Sequence, residues 1–294
     1  MSEPTLPDGE AQSRLSPALY VVATPIGHAR DITLRALDVL RGCDAIAAED
    51  TRATARLLAI HAISRPLLTY NDHNAPRIRP AILDRLSRGE RIALVSDAGT
   101  PLVSDPGYKL LRDALAAGAK VEAIPGASAS LAALVLSGLP TDRFLFAGFL
   151  PPRGAARRTT LEELKAVQAS LVLFEAPHRL AETLRDMTEI FGARRAAVAR
   201  ELTKIHEEVR RDDLAALAKF YLSNAAPRGE ITIVVGAPEP APPDLRRADL
   251  LLDRALPFMP VRAAADLIAE ALNIPRRAMY ARALSRKRNG GDGA

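Results

Sequence analysis

The sequence predicts an α/β protein of two lobes followed by a small helical module. Three observations predict it. Short apolar runs of strand length alternate with helix-like stretches, loops rich in glycine and proline follow successive strands, and a proline-dense segment precedes a pattern of three helices. In order, residues 19–23, 45–48, 67–69, 92–95 and 121–124 are strand candidates, separated by helical patterns that include 33–41, 79–88 and 108–117. That alternation predicts a parallel sheet. The segment GFLPPRGAARR, 148–158, is expected to be an exposed connection. Alternation then resumes, with strands at 171–174, 196–199 and 231–235 and helices at 180–190 and 213–222. PEPAPPD, 238–244, is expected to be a stiff linker, and helices at 248–256, 261–272 and 276–287 follow it.

The expected organisation is a disordered N-terminus over 1–17, a first lobe over 18–147, the connection at 148–158, and a second lobe over 159–237. A linker over 238–246, a helical module over 247–288 and a disordered tail over 289–294 complete it.

Composition narrows the class. The chain of 294 residues is 48% hydrophobic, enough for more than one core. A single cysteine, Cys43, leaves no intrachain disulfide and fits a reducing cytoplasm. The polar first 17 residues lack the charged and apolar regions of a signal peptide. The uncharged stretch 123–141 contains Pro125, Gly126, Gly138 and Pro140, and reads as a buried loop and helix, not a membrane span. A net charge of +5 is carried by arginine pairs in the second half, such as Arg157/Arg158, Arg194/Arg195 and Arg210/Arg211. They are either a solvated surface or the footprint of a polyanion such as RNA. The helix, turn and basic helix at the end of the chain is a nucleic-acid-binding shape or a packing module.

Two loops, SDAGTPLVSDPG at 96–107 and IPGASAS at 124–130, mark a ligand crevice at the carboxyl ends of strands. They offer Asp97, Thr100, Ser104, Asp105, Ser128 and Ser130 as polar groups, although Gly99, Pro101, Pro106 and Gly107 would also serve as plain turn residues. Neither G-x-G-x-x-G after a strand nor a P-loop motif is present, and the five histidines and Cys43 lack metal-ligand spacing, so no metal is expected.

Seven segments in order carry a family resemblance: ATPIGHARDITLRAL, AEDTRATARLL, SDAGTPLVSDPG, PGASASLAALVLSGLP, FAGFLP, FEAPHRL and ARELTKIHEE. Together they resemble the ribosomal RNA small subunit methyltransferase I family of the tetrapyrrole methylase superfamily. The resemblance departs at His28, where asparagine is usual, and at Ala75, where an acid is common. It implies a two-lobed tetrapyrrole-methylase-like fold with the cofactor cleft between the lobes, plus a helix-turn-helix-like C-terminal module. It further implies S-adenosyl-L-methionine as cofactor and 2′-O-methylation of one cytidine in the decoding region of 16S rRNA, in the 30S subunit. A cytoplasmic homodimer without membrane attachment is also implied.

On that resemblance Thr24, Pro25, Ile26, Gly27, Asp97, Ala98, Gly99, Thr100, Pro101, Ser128 and Ala129 are expected to hold the cofactor. Glu49, Asp50, Glu175, His178, or a Lys204 with lowered pKa, are the alternatives for a base. Arg52, Arg179, Arg200 and Glu201 are expected on the substrate side, with structural ion pairing as the plainer role for such residues. Two rivals share the scaffold: a precorrin-type tetrapyrrole methylase and a non-catalytic rRNA-binding assembly factor.

Overall fold

The computed structural model describes residues 15–239 and 244–289. The expected disorder at 1–14 and 290–294, and the linker residues 240–243, lie outside the described residues.

The first sheet contains β1 (Ala18–Val22), β2 (Ala45–Ala48), β3 (Leu67–Thr69), β4 (Arg91–Val95) and β5 (Val121–Ile124), all parallel, in the order β3-β2-β4-β1-β5. Every residue of β1 and β2 is buried, because helices cover both faces of the sheet. From α1 (Leu34–Gly42) and α2 (Thr51–Ile60), Val39, Leu40 and Leu58 pack with Tyr20, Val22 and Ile46. On the opposite face α3 (Ala75–Ser87) and α4 (Tyr108–Ala116) bring Ile82 and Leu110 against Leu19, Ile92 and Leu94. Strands β1 and β4 are neighbours, yet the chain leaves β1 for β2, beyond β4, and leaves β4 for β5, beyond β1. Their connections therefore diverge and open a crevice at the carboxyl ends of these two strands.

The second sheet contains β6 (Phe144–Phe149), β7 (Ser170–Glu175), β8 (Arg195–Arg200), β9 (Glu208–Asp213) and β10 (Ile231–Val235), in the order β6-β7-β10-β8-β9. Only the β6/β7 pair is parallel. One face is covered by α6 (Gly154–Leu164), α7 (Leu180–Phe191) and α8 (Leu214–Ser223) through Leu161, Leu184, Met187 and Leu217. The other is covered by α5 (Ala129–Ser137), which follows the first sheet in sequence. Its Ala133 and Leu134 pack on Val172, Ala199 and Val234, and Ile26 from the loop after β1 joins the same cluster. The two lobes thus share a core.

Three sequence expectations are corrected here. The connection expected at 148–158 is the end of β6 and the start of α6, so the second sheet begins at Phe144. Its glycine serves a bulge: Gly148 has φ +63°, and the β6/β7 register shifts between Phe146 and Gly148. The helix within 123–141 is not wholly buried, since Leu131, Val135 and Leu136 of α5 are exposed. Several arginines read as possible polyanion contacts are engaged within the protein. Arg157 is buried against Asp186, with Nε donating at 2.7 Å. Arg194 is buried with its guanidinium 4.6 Å from the Phe191 ring centre, and Arg210 stacks 3.7 Å from that of Phe220.

Beginning at Glu239 the chain forms a second compact unit. In it α9 (Leu245–Ala255), α10 (Val261–Ala271) and α11 (Arg276–Asn289) enclose Ala248, Leu252, Ile268 and Met279. Asp249 of α9 accepts from Arg282 at 2.6 Å and pairs with Arg286 at 3.1 Å, which ties α11 to α9. The turn between α10 and α11 places Asn273 at φ +50°, a conformation asparagine tolerates better than most residues.

Cys43, just after α1, is buried, and burial pushes its thiol up to about 11. Since the thiolate is the reactive form, the native protein should resist iodoacetamide at neutral pH and react once unfolded, which mass spectrometry of alkylated peptides would read directly.

Candidate active site

Loops from both sheets meet around a cavity of about 460 Å³. After β1 the chain turns through Thr24–Gly27 (24–27), and after β4 through the long loop 96–107. The two are clasped by backbone bonds, Thr24 N donating to Gly99 O at 2.8 Å and Gly99 N to Thr24 O at 3.0 Å. Buried Thr24 adds its hydroxyl to Ser96 O at 3.2 Å. Gly99 has φ +76° and Gly107 φ +127°, which explains glycine at both positions. Thr100 donates to Ala127 O at 3.3 Å, joining this loop to the one after β5, where Ser128 caps α5 by accepting from Leu131 N at 3.4 Å.

The far wall belongs to the second sheet: Phe149, Phe174 to Pro177, and Gly229 to Thr232. The lobes touch at the turn after β1. A Cβ on Gly27 would lie 2.5 Å from Lys204 Cγ and 2.6 Å from Thr203 Oγ1, and His28 N donates to that hydroxyl at 3.0 Å. Opposite, Glu201 (φ +50°) and Thr203 (φ +64°) adopt a left-handed conformation, held by the Glu207 carboxylate accepting from Thr203 N at 2.6 Å.

Of the residues expected at the cofactor, Ile26, Asp97, Ala98, Gly99, Thr100, Ser128 and Ala129 line the cavity. Thr24, Pro25, Gly27 and Pro101 are not among its lining residues. Ser104, Asp105 and Ser130, offered as polar groups of the two loops, line it as well. Sequence reading gave no site role to Phe149, Phe174 or the 229–232 segment, which are ordinary strand residues and strand ends whose spacing carries no site signal.

The five alternatives for a base separate clearly. Asp50 caps α2, accepting from Arg52 N at 2.8 Å, and pairs with the Arg52 guanidinium at 2.9 Å. Those bonds hold its carboxyl at about 2. Glu175 is buried, and its carboxylate accepts from Ala176 N at 2.7 Å and Thr183 Oγ1 at 2.6 Å while pairing with Arg179 at 3.1 Å. His178 is exposed and does not line the cavity. The expectation of a lowered Lys204 pKa is overturned. Burial pulls the amine down, but hydrogen bonds to Glu201 at 2.7 Å and Glu230 at 3.0 Å outweigh it, so the net shift is upward and Lys204 is an ammonium. Glu49 lines the cavity with no ion-pair partner among the described residues. Burial raises its carboxyl, and the Asp97, Asp105, Asp72 and Asp50 charges push it further.

The candidate substrate residues are largely engaged within the protein. Arg179 donates to Leu150 O at 2.7 Å, Arg200 pairs with Glu208 at 3.3 Å, and Glu201 accepts from Glu230 N at 3.0 Å. Arg52 pairs with Asp50 yet remains mostly exposed. Among the described residues, no group of three or more His, Cys, Asp or Glu side chains is placed to hold a metal ion, and no helix is long and apolar enough to cross a membrane.

Comparison with known proteins adds to this geometry. Residues 18–218 match the family model for Tetrapyrrole (Corrin/Porphyrin) Methylases, and residues 240–287 match that for the RsmI C-terminal HTH domain. A protein of Mesorhizobium japonicum named ribosomal RNA small subunit methyltransferase I is 49% identical over 95% of this chain and 95% of its own. One of the same name from Erythrobacter litoralis is 51% identical over 93% of this chain and 96% of its own. Among solved structures, a diphthine synthase superposes with a TM-score of 0.59 at 18% identity, covering 74% of this chain and 89% of that one. A cobalt precorrin-4 methyltransferase superposes at 0.57 with 17% identity, covering 79% and 99%. These two share the fold.

Proposed function

The chain belongs to the ribosomal RNA small subunit methyltransferase I family, within the tetrapyrrole methylases, and from that premise we propose that it methylates the ribose 2′-oxygen of a cytidine in the decoding region of 16S rRNA. The observation that carries the reading is the cavity where the 96–107 loop meets the second sheet. Its residues fit S-adenosyl-L-methionine, the cofactor of the family. Ala98 and Gly99 line it without bulky side chains, Ser128 and Ser130 offer hydroxyls, and Ile26, Phe149 and Phe174 give apolar surface for an adenine. When bound, the cofactor supplies a methyl group on a positively charged sulfur.

The chain's own residues orient the acceptor and take its proton. Glu49 is the base in this reading: it is the one candidate that lines the cavity and has no ion pair, and its raised carboxyl brings it closer to working pH. Its carboxylate would accept the 2′-hydroxyl proton of a ribose held at the cavity. Lys204, tied within the second lobe to Glu201 and Glu230, packs its stem beside Gly27 of the first and is a positioning residue at the contact between the lobes. Arg52 stands exposed at the first-lobe rim and is the candidate phosphate contact. The C-terminal helical unit, ending in Arg286, Lys287 and Arg288, adds positive charge suited to surrounding rRNA. We read the protein as a cytoplasmic homodimer that acts on the assembled 30S subunit; for the dimer alone, the exposed Leu131, Val135 and Leu136 of α5 offer an apolar face.

Transfer of tritium from labelled S-adenosylmethionine to 30S subunits and to naked 16S rRNA, followed by mapping, tests the reading. Label on one cytidine ribose, stronger in subunits, is the expected result. Label on a base, or on no RNA while the cofactor binds, would overturn it.

A further inference from the structure

Charge on the cavity wall has one sign. Glu49, Asp97, Asp105, Glu175 and Glu230 line it, with no lysine, arginine or histidine among the lining residues. Two of these carboxylates are neutralised from behind, Glu175 by Arg179 at 3.1 Å and Glu230 by Lys204 at 3.0 Å. Glu49, Asp97 and Asp105 have no ion-pair partner among the described residues; Asp97 accepts the Asp50 amide at 2.9 Å. Asp105 is brought to the wall by a strained stretch of backbone, with Leu102 at φ +74° and Ser104 at φ +67°, neither a glycine. Burial raises its carboxyl, the Ser96 hydroxyl offsets part of that, and Asp97 raises it again. Like charges gathered beside apolar surface are unfavourable until a cation enters. Ile26, Val103, Phe149 and Phe174 complete the wall, so the cation that fits is organic and partly apolar.

We propose that Asp105, together with Glu49 and Asp97, makes the cavity select its ligand by charge at sulfur, favouring the sulfonium of S-adenosylmethionine over the neutral thioether of S-adenosylhomocysteine. The proposal rests on the cofactor reading above. The same field repels phosphate, so rRNA presents a ribose edge to the cavity and keeps its backbone at the rim. Spent cofactor, having lost its positive sulfur, leaves a site that no longer favours it.

Calorimetric titration of the full chain with S-adenosylmethionine, S-adenosylhomocysteine and the amine-bearing analogue sinefungin provides the test. Both cationic ligands should bind about tenfold more tightly than the thioether, the lower end of what an opposite charge at ~4–6 Å does to an equilibrium. Asp105→Asn should erase most of that preference without weakening S-adenosylhomocysteine; Glu49→Gln repeats the measurement if the first variant fails to fold. Equal affinities in the unmodified protein, or a uniform loss for all three ligands in the variants, would overturn the proposal. Binding of none of the three to the unmodified protein would overturn the cofactor reading itself.

Discussion

Glu49→Gln should lower kcat for rRNA methylation by about 10²–10⁴-fold, the usual contribution of a positioned general base. The amide keeps the shape and loses the proton acceptor. Because burial and four neighbouring aspartates raise the Glu49 carboxyl, the unmodified enzyme should lose rate as pH falls through that raised pKa, where the base becomes protonated. The glutamine variant should lose that acid limb. KM for the 30S subunit should hardly move, since Glu49 faces the cavity and not the rim. Single-turnover rates across pH on preformed subunit complexes would check each point. An acid limb that survives in the variant would assign the proton to another group.

Asp186→Ala should destabilise the fold by about 3 kcal/mol, the lower end of the cost of stranding one partner of a buried ion pair. Arg157 and Asp186 both have side chains only 3% exposed, and Asp186 also accepts from Arg158 at 2.7 Å. Loss of the carboxylate leaves the Arg157 guanidinium inside the second lobe with only Glu182 near, at 3.6 Å. The lower end of the range is expected because that exposed glutamate can swing inward. Replacing both partners, as Arg157→Met with Asp186→Leu, should recover most of the loss, since paired apolar groups avoid the desolvation cost. Guanidinium unfolding midpoints of the single and double variants would decide; a single variant within about 0.5 kcal/mol of the parent would mean that the pair is relaxed by water.

These residues also show where sequence was readable. β1, β2 and β4 are covered on both faces, so their apolar runs announced them. β9, with the sequence EVRRDD, lies at the sheet edge, where charge is expected and no apolar signal survives. FLFAGF was legible as apolar, but Gly148 and the prolines after it concealed the bulged end of β6. The glycine loops of the site were legible because positive φ demands such residues. Of the far wall only Glu175 was legible, because that wall joins β6, β7 and the 229–232 segment across long stretches of chain. Ion pairing likewise depends on neighbours in space: nothing in ARELTKIHEE distinguishes a free base at Lys204 from an ammonium bridging Glu201 and Glu230.

Helix α5 is encoded with the first lobe but completes the second, and this sets an order on synthesis. Its Ala133 and Leu134 find their partners only when β7, β8 and finally β10 have been made. From Ser137 to Val235 the ribosome takes on the order of 5–20 s at ordinary translation rates. Throughout that interval the nascent first lobe carries an uncovered apolar helix, a surface that chaperones bind and that favours aggregation when they are scarce. Pausing late in the message should therefore harm yield more than pausing early, although neither changes the finished fold.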